Sequence, residues 1–149
     1  MWKQLLSNQI LWASLTAWFI AQVVKLPIDY FQTRQINWSL LLRAGGMPSS
    51  HSAFIAAATL SIGLYAGFDT PAFALSVVMT MIITYDASGI RRQAGLHAEK
   101  INTMINELLQ GHPISDDNLR EVLGHTTGQV VVGIVFGLVI ALLFWILFA

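Results

Sequence analysis

The chain has 149 residues, room for one compact domain spanning 1–149. Hydrophobic residues make up 55% and charged residues 11%, against about 25% charged in soluble domains, so too few solvating groups remain to cover a water-exposed surface and lipid is the solvent that fits. Eight basic and eight acidic residues cancel without forming a basic arm or stripe, which leaves nucleic acid without support as a partner, and the lack of cysteine excludes disulfide and thiolate chemistry.

A helix crossing a bilayer needs roughly 20 predominantly apolar residues. The first such run is Ile10–Val24, extendable back to Leu5. No small-residue cleavage pattern follows it, so it reads as a retained helix and not a signal peptide. A polar stretch, Lys25–Met47, comes next, with Pro27, Asp29, Arg34 and Arg43 among aromatic and aliphatic residues, and is expected to form a short amphipathic helix at the interface. The second span begins at Ser52 or Ala53 and ends near Gly67; the third runs from Pro71 to about Tyr85. A longer polar stretch, Asp86–Gly124, follows. Within it Ile90–Leu109 reads as a helix bearing Arg91, Arg92, Lys100 and Glu107, and Ser115, Asp116 and Asp117 offer a cap for another short helix through Leu123. Val130–Ala149 is the fourth span and carries no charge. The expected fold is therefore an all-α integral membrane bundle of about four transmembrane helices with short amphipathic pieces.

Lysine and arginine divide unevenly between the connections. Phe68-Asp69-Thr70 has none, whereas the other two hold Lys25, Arg34, Arg43, Arg91, Arg92, Lys100 and Arg120. The positive-inside rule puts both basic connections on the cytoplasmic face, with plasma membrane the expected location.

Three motifs meet on that basic side. Gly45-Gly46-Met47-Pro48-Ser49-Ser50-His51-Ser52 precedes the second span. Its glycines permit close backbone approach or positive φ, and its proline and serines suit a helix start, a ready anion site. His51 in the first turn could donate to or protonate an oxyanion; the plainer reading is a capped helix with an incidental histidine. The second motif is Tyr85-Asp86-Ala87-Ser88-Gly89-Ile90-Arg91-Arg92. Paired arginines suit multidentate phosphate contacts, though anchoring at the interface is their commoner use; Asp86 could pair with Arg91 in either case. The third is Leu123-Gly124-His125-Thr126-Thr127-Gly128-Gln129 at the start of the last span, where His125 could attack phosphorus or simply be a polar cap.

These motifs, over about Lys25 to Gly137, resemble the divergent branch of the type 2 phosphatidic acid phosphatase and vanadium haloperoxidase superfamily. The resemblance implies that His51 is the general acid, that Lys25, Ser49, Ser50, Arg91 and Arg92 bind phosphate, and that His125 is the nucleophile, with Asp86 and Gln129 in support. The chain departs from the superfamily pattern in three places. Pro-Ser-Ser-His replaces Pro-Ser-Gly-His. Gln32 stands seven residues after Lys25 where an arginine belongs. Gln129 stands where an aspartate would orient the nucleophile; an amide can accept a hydrogen bond but cannot stabilise an imidazolium as a carboxylate does. Arg91 and His97 also fit an arginine-to-histidine spacing, with Ile101 at the acid position, but His97 falls on an expected surface helix and the residues after His125 match the start of the last helix, so His125 is preferred as nucleophile.

Two functions follow as expectations: a membrane phosphatase-like protein acting on a phosphate monoester or diphosphate, a lipid phosphate above all, or a non-catalytic membrane protein that keeps the anion pocket to bind a phospholipid head group or a partner. A transporter subunit has only size and hydrophobicity behind it. The expected partner is a membrane lipid or lipid phosphate, with self-association into a homo-oligomer left open. Four scattered histidines and no carboxylate cluster point to no metal, and no cofactor is called for.

Overall fold

The structure, a computed structural model, describes residues 2–41, 46–108 and 125–148, without the side chains of Gln32, Arg91, Arg92 and Glu107. Six α-helices follow in order: α1 Trp2–Leu6, α2 Gln9–Thr33, α3 Ser50–Ala66, α4 Pro71–Ser88, α5 Ile90–Leu108 and α6 Thr127–Phe148. A single 3₁₀ turn, Trp38–Leu41, straps the end of α2. No strand occurs among the described residues. Three helices are long and apolar enough to cross a membrane: α2, α4 with its continuation into α5, and α6. α3, with 17 residues, is about 25 Å long at 1.5 Å per residue. That falls just short of a hydrocarbon core of about 30 Å, so α3 is the short fourth member of the bundle.

The helix ends follow from local chemistry. Asn8 caps α2 by accepting the Leu11 N–H at 3.0 Å. This cap breaks the chain between α1 and α2, so the first span starts at Gln9 and does not extend back to Leu5. Thr70 caps α4 with Pro71 at its first position, where the missing N–H costs nothing.

The sequence reading ends the first span at Val24, but α2 continues through Lys25 and Pro27 to Thr33. A charge did not stop the helix because Lys25 points into the bundle. Among the described residues of the connection that follows, a 3₁₀ turn stands in place of the expected amphipathic helix. The second span starts at Ser50, two residues early; the third runs on to Ser88; the last is Thr127–Phe148. The short helix expected through Leu123 lies outside the described residues.

The core is made of small side chains spaced four apart. Ala13, Ala17 and Ala21 on α2, Ala53, Ala57 and Ser61 on α3, and Gly133, Gly137 and Ala141 on α6 are all buried. Lipid tails are as apolar as leucine, so membrane helices associate through close packing of small residues. α3 lies at the centre, against α2, α4 and α6. The approach to α6 is so close that a Cβ on Gly133 would fall 2.5 Å from the Ser49 carbonyl oxygen, and one on Gly137 2.2 Å from that of Ala53.

Each stripe, followed one step further toward the same end of the bundle, arrives at a polar residue: Lys25 on α2, Ser49 on α3, Gln129 on α6. The Ser49 N–H donates to the Gln129 carbonyl at 3.2 Å, and the His125 N–H to the Ala87 carbonyl at 3.1 Å. These bonds gather the starts of α3 and α6 and the end of α4 at one end of the bundle. At the other end the Gln9 side chain reaches the Phe148 carbonyl at 3.4 Å. Aromatic side chains mark the two boundaries on α2. Trp12 and Tyr30 are both exposed, and 18 residues separate them, about 27 Å of helix, close to the thickness of the hydrocarbon core.

Candidate functional site

At the polar end Lys25 is only 2% exposed. Its ammonium donates to Gln22 Oε1 and to Ser50 Oγ, the latter at 3.4 Å. The Gln22 amide in turn donates to the Leu41 carbonyl at 2.9 Å, which tethers the strap to α2 and fixes which end of Gln22 faces the lysine. No carboxylate pairs with Lys25 among the described residues. Burying a charge with neutral partners alone is costly. Beside the ammonium lies a cavity of about 310 Å³, lined by Lys25, Asp29, Gly46, Thr126, Gly128 and Gln129 among others. Gly46 adopts φ +77° there, with Lys25 Cδ 3.6 Å from where a Cβ would stand, a conformation glycine takes without strain.

The start of α6 is a reciprocal cap. Thr126 Oγ1 accepts the Gln129 N–H at 3.3 Å, and Gln129 Oε1 accepts the Thr126 N–H at 3.1 Å, the Thr-x-x-Gln form of a capping box. The same Oε1 stands 3.2 Å from His125 Nδ1. A backbone N–H can only donate, so the atom facing Thr126 is the oxygen, and His125 must carry its proton on Nδ1. The lone pair is then on Nε2. His125 is 4% exposed and sits one residue before the cavity-lining Thr126 without lining the cavity itself. Gln129, at the position of the expected acid, therefore does two things: it caps α6 and fixes the tautomer of His125.

The remaining expected site residues divide. Ser50 meets Lys25. Ser49 is fully buried and spends its hydroxyl on α3, accepting from the Ser52 N–H and, at 2.9 Å, from the Ser52 hydroxyl; it does not line the cavity. His51 is exposed and lines a different hollow, with Leu15, Trp18 and Phe54. Asp86 is half-buried in the last turn of α4, next to Ala87. Arg91 and Arg92 begin α5, four and five residues after Ala87, so their backbone belongs to this end of the bundle; their side chains lie outside the described residues. His97 is exposed on α5. Gln22 was not anticipated. Its signal is an amide inside an apolar run, three residues from Lys25 on one helix face. Among the described residues no three of histidine, cysteine, aspartate and glutamate gather as a metal site would require.

The chain is 37% identical over 150 residues to the uncharacterized membrane protein YuiD of Bacillus subtilis (strain 168), a match covering 93% of this chain and 95% of that one. No solved structure matches. The sequence model of the Divergent PAP2 family matches residues 6–140, which include Lys25, Gly46 and the start of α6, and the chain belongs to that family.

Proposed function

We propose that the protein is a membrane phosphohydrolase that takes a phosphate monoester or diphosphate, with a lipid phosphate as substrate, and transfers the phosphoryl group to His125. The observation that carries the reading is Lys25: a buried ammonium whose hydrogen-bond partners among the described residues are neutral, beside a cavity lined by the start of α6, Gly46 and Asp29. An anion there gains the lysine charge and the N–H groups of a helix start. Family membership supports phosphate as that anion.

In the proposed reaction the His125 ring, whose Nε2 is buried next to the cavity-lining Thr126, turns toward the cavity, and Nε2 forms a bond to phosphorus as the bond to the leaving oxygen breaks. His51 gives its proton to the departing alkoxide, and water then hydrolyses the phosphohistidine. Lys25, Ser50, Arg91 and Arg92 stabilise the non-bridging oxygens. The nucleophile must be neutral and the acid protonated, so activity should fall on both sides of a pH optimum.

One observation favours a second reading. Gln129 offers His125 an amide oxygen and no negative charge, so an imidazolium formed in the reaction is poorly stabilised. A protein that only binds a phosphate head group has no need of that charge. Phosphate release and head-group binding, measured on the same purified protein, separate the two. Binding abolished by Lys25→Met with no release from any lipid phosphate selects the binding protein; release that depends on His125 selects the enzyme.

A further inference from the structure

The cavity beside Lys25 also contains a carboxylate that the proposed reaction does not use. Asp29 lines it together with Lys25, and the two stand four residues apart on α2, about 6 Å along the helix. Opposite charges at that spacing on one helix face are neighbours and ordinarily attract. Here they do not meet. The Lys25 ammonium turns away, toward Gln22 on the preceding turn and Ser50 on α3, and is buried there. Asp29 is half-buried. Outside the helix ladder it is bonded, among the described residues, only through its backbone carbonyl, which accepts from Thr33 Oγ1 at 2.9 Å; its carboxylate has no partner among them. The other described lining residues are all neutral. The cavity thus keeps one positive and one negative group apart. The positive group is the deeper one, and Asp29 lies a turn closer to the boundary residue Tyr30.

A bare phosphate fits only half of this arrangement. Its charge is drawn to Lys25, but the carboxylate one turn away repels it, and in a partly buried site that repulsion is weakly screened. We infer that Asp29 is a specificity-determining residue and that the cavity takes an amino-phosphate, a phosphate ester with a protonated amine on the second carbon from the ester oxygen. The phosphate lies inward at Lys25 and the ammonium outward at Asp29, where it gains a charge-assisted hydrogen bond. A spacer of two carbons lets the two charges reach groups about one helical turn apart. The inference rests on the phosphate reading above and adds to it the class of substrate. The amine can belong to a long-chain lipid phosphate or to a small soluble one; the chemistry that the cavity reads is the same.

The test compares isosteres that differ only in the amine. Binding is measured on the full-length protein in a non-ionic maltoside detergent with EDTA present. One pair is 2-aminoethyl phosphate and propyl phosphate; the other is 2-aminododecyl phosphate and dodecyl phosphate without the amine. The variants are Asp29→Asn, Asp29→Lys and Lys25→Met. Asp29→Asn keeps the shape of a side chain that has no described partner to lose. The expected result is that the parent binds the amine of at least one pair about tenfold tighter than its isostere, that Asp29→Asn brings the ratio near one, and that Asp29→Lys inverts it. A preference confined to the long-chain pair assigns the amine to a lipid, and one present in the short pair assigns it to a soluble phosphate as well. A ratio near one in both pairs of the parent, or a preference that Asp29→Asn retains, overturns the inference and leaves the phosphate site standing. Magnesium that tightens propyl phosphate about tenfold or more in the parent and not in Asp29→Asn makes the carboxylate a metal ligand and overturns it too. If none of the four phosphates binds, or Lys25→Met binds them as the parent does, the phosphate reading itself is wrong and the inference falls with it.

Discussion

Lys25 and Gln129 are the two residues whose chemistry decides what the site can do. Lys25→Met should keep the volume of the side chain while removing an isolated buried charge, so stability should hold or rise. Phosphate affinity should fall about 10- to 100-fold, the worth of one hydrogen bond to a charged group at roughly 1.5–3 kcal/mol; isothermal titration with a soluble alkyl phosphate measures it. At Gln129 two substitutions part ways. Gln129→Ala removes the side-chain bonds to the Thr126 N–H and to His125 Nδ1 and should cost about 1 kcal/mol of stability. Gln129→Glu keeps the cap, since glutamate serves the same position, and sets a carboxylate against His125 Nδ1. Turnover of phosphate release should then rise about tenfold or more, and a kcat equal to the parent's would show that the imidazolium is not what limits the reaction.

Much at this scale was legible in the sequence, because a lysine at the edge of an apolar run, serines before a span and a histidine at a helix start are conspicuous. Gln22 was not, since its partner Leu41 comes 19 residues later and an amide in an apolar run does not announce one. The direction of His51 was hidden too. A motif gives the position of a helix start, whereas the face that packs inward is set by the small-residue stripe through Ala53 and Ala57. At 100° per residue, His51 lies about 200° from Ser49, where that stripe begins.

Among the elements, α3 and α6 carry the tightest packing. A side chain at Gly137 must displace the backbone of Ala53, which cannot yield without parting the two helices. Gly137→Val should lower stability by about 1–3 kcal/mol or more, read as a fall in the thermal midpoint of the detergent-solubilised protein. Gly63 offers a contrast. A Cβ there meets the Phe68 ring at 2.3 Å, but that ring is exposed and can swing away, so Gly63→Ala should shift the midpoint little. Hydropathy located the four apolar helices of the bundle, because apolar runs of this length have few alternatives. It misjudged the end of α2, where Lys25 and Asp29 look like the edge of the membrane; the small-residue stripe of α2 carries Lys25 inward, and the helix continues beneath the strap. The same charge that ended the span on paper is the one the fold buries at its site.

For the whole molecule, the described helix ends that flank both basic connections, and the site, occupy one end of an antiparallel bundle, opposite the loop at Asp69. The charge asymmetry predicts that this end faces the cytoplasm. The chain has no cysteine, so single-cysteine variants give a clean measure: Asp69→Cys should react with an impermeant maleimide on intact cells, and Gln35→Cys only after permeabilisation. The reverse pattern would invert the orientation without touching the site. The gathering of the polar helix ends was legible from the alternation of spans and connections. The split between the Lys25 cavity and the hollow at His51 was not, because it depends on how α2 and α3 turn toward one another.

The central claim is that a phosphate held beside Lys25 reacts at His125. Its most direct test is phosphate release from a long-chain lipid phosphate by the purified parent protein, by His125→Ala and by His97→Ala, at matched folded concentration. The account predicts release by the parent, a fall to background in His125→Ala, and near-parental release in His97→Ala, whose histidine is exposed on α5. Release that survives in His125→Ala and disappears in His97→Ala would contradict it.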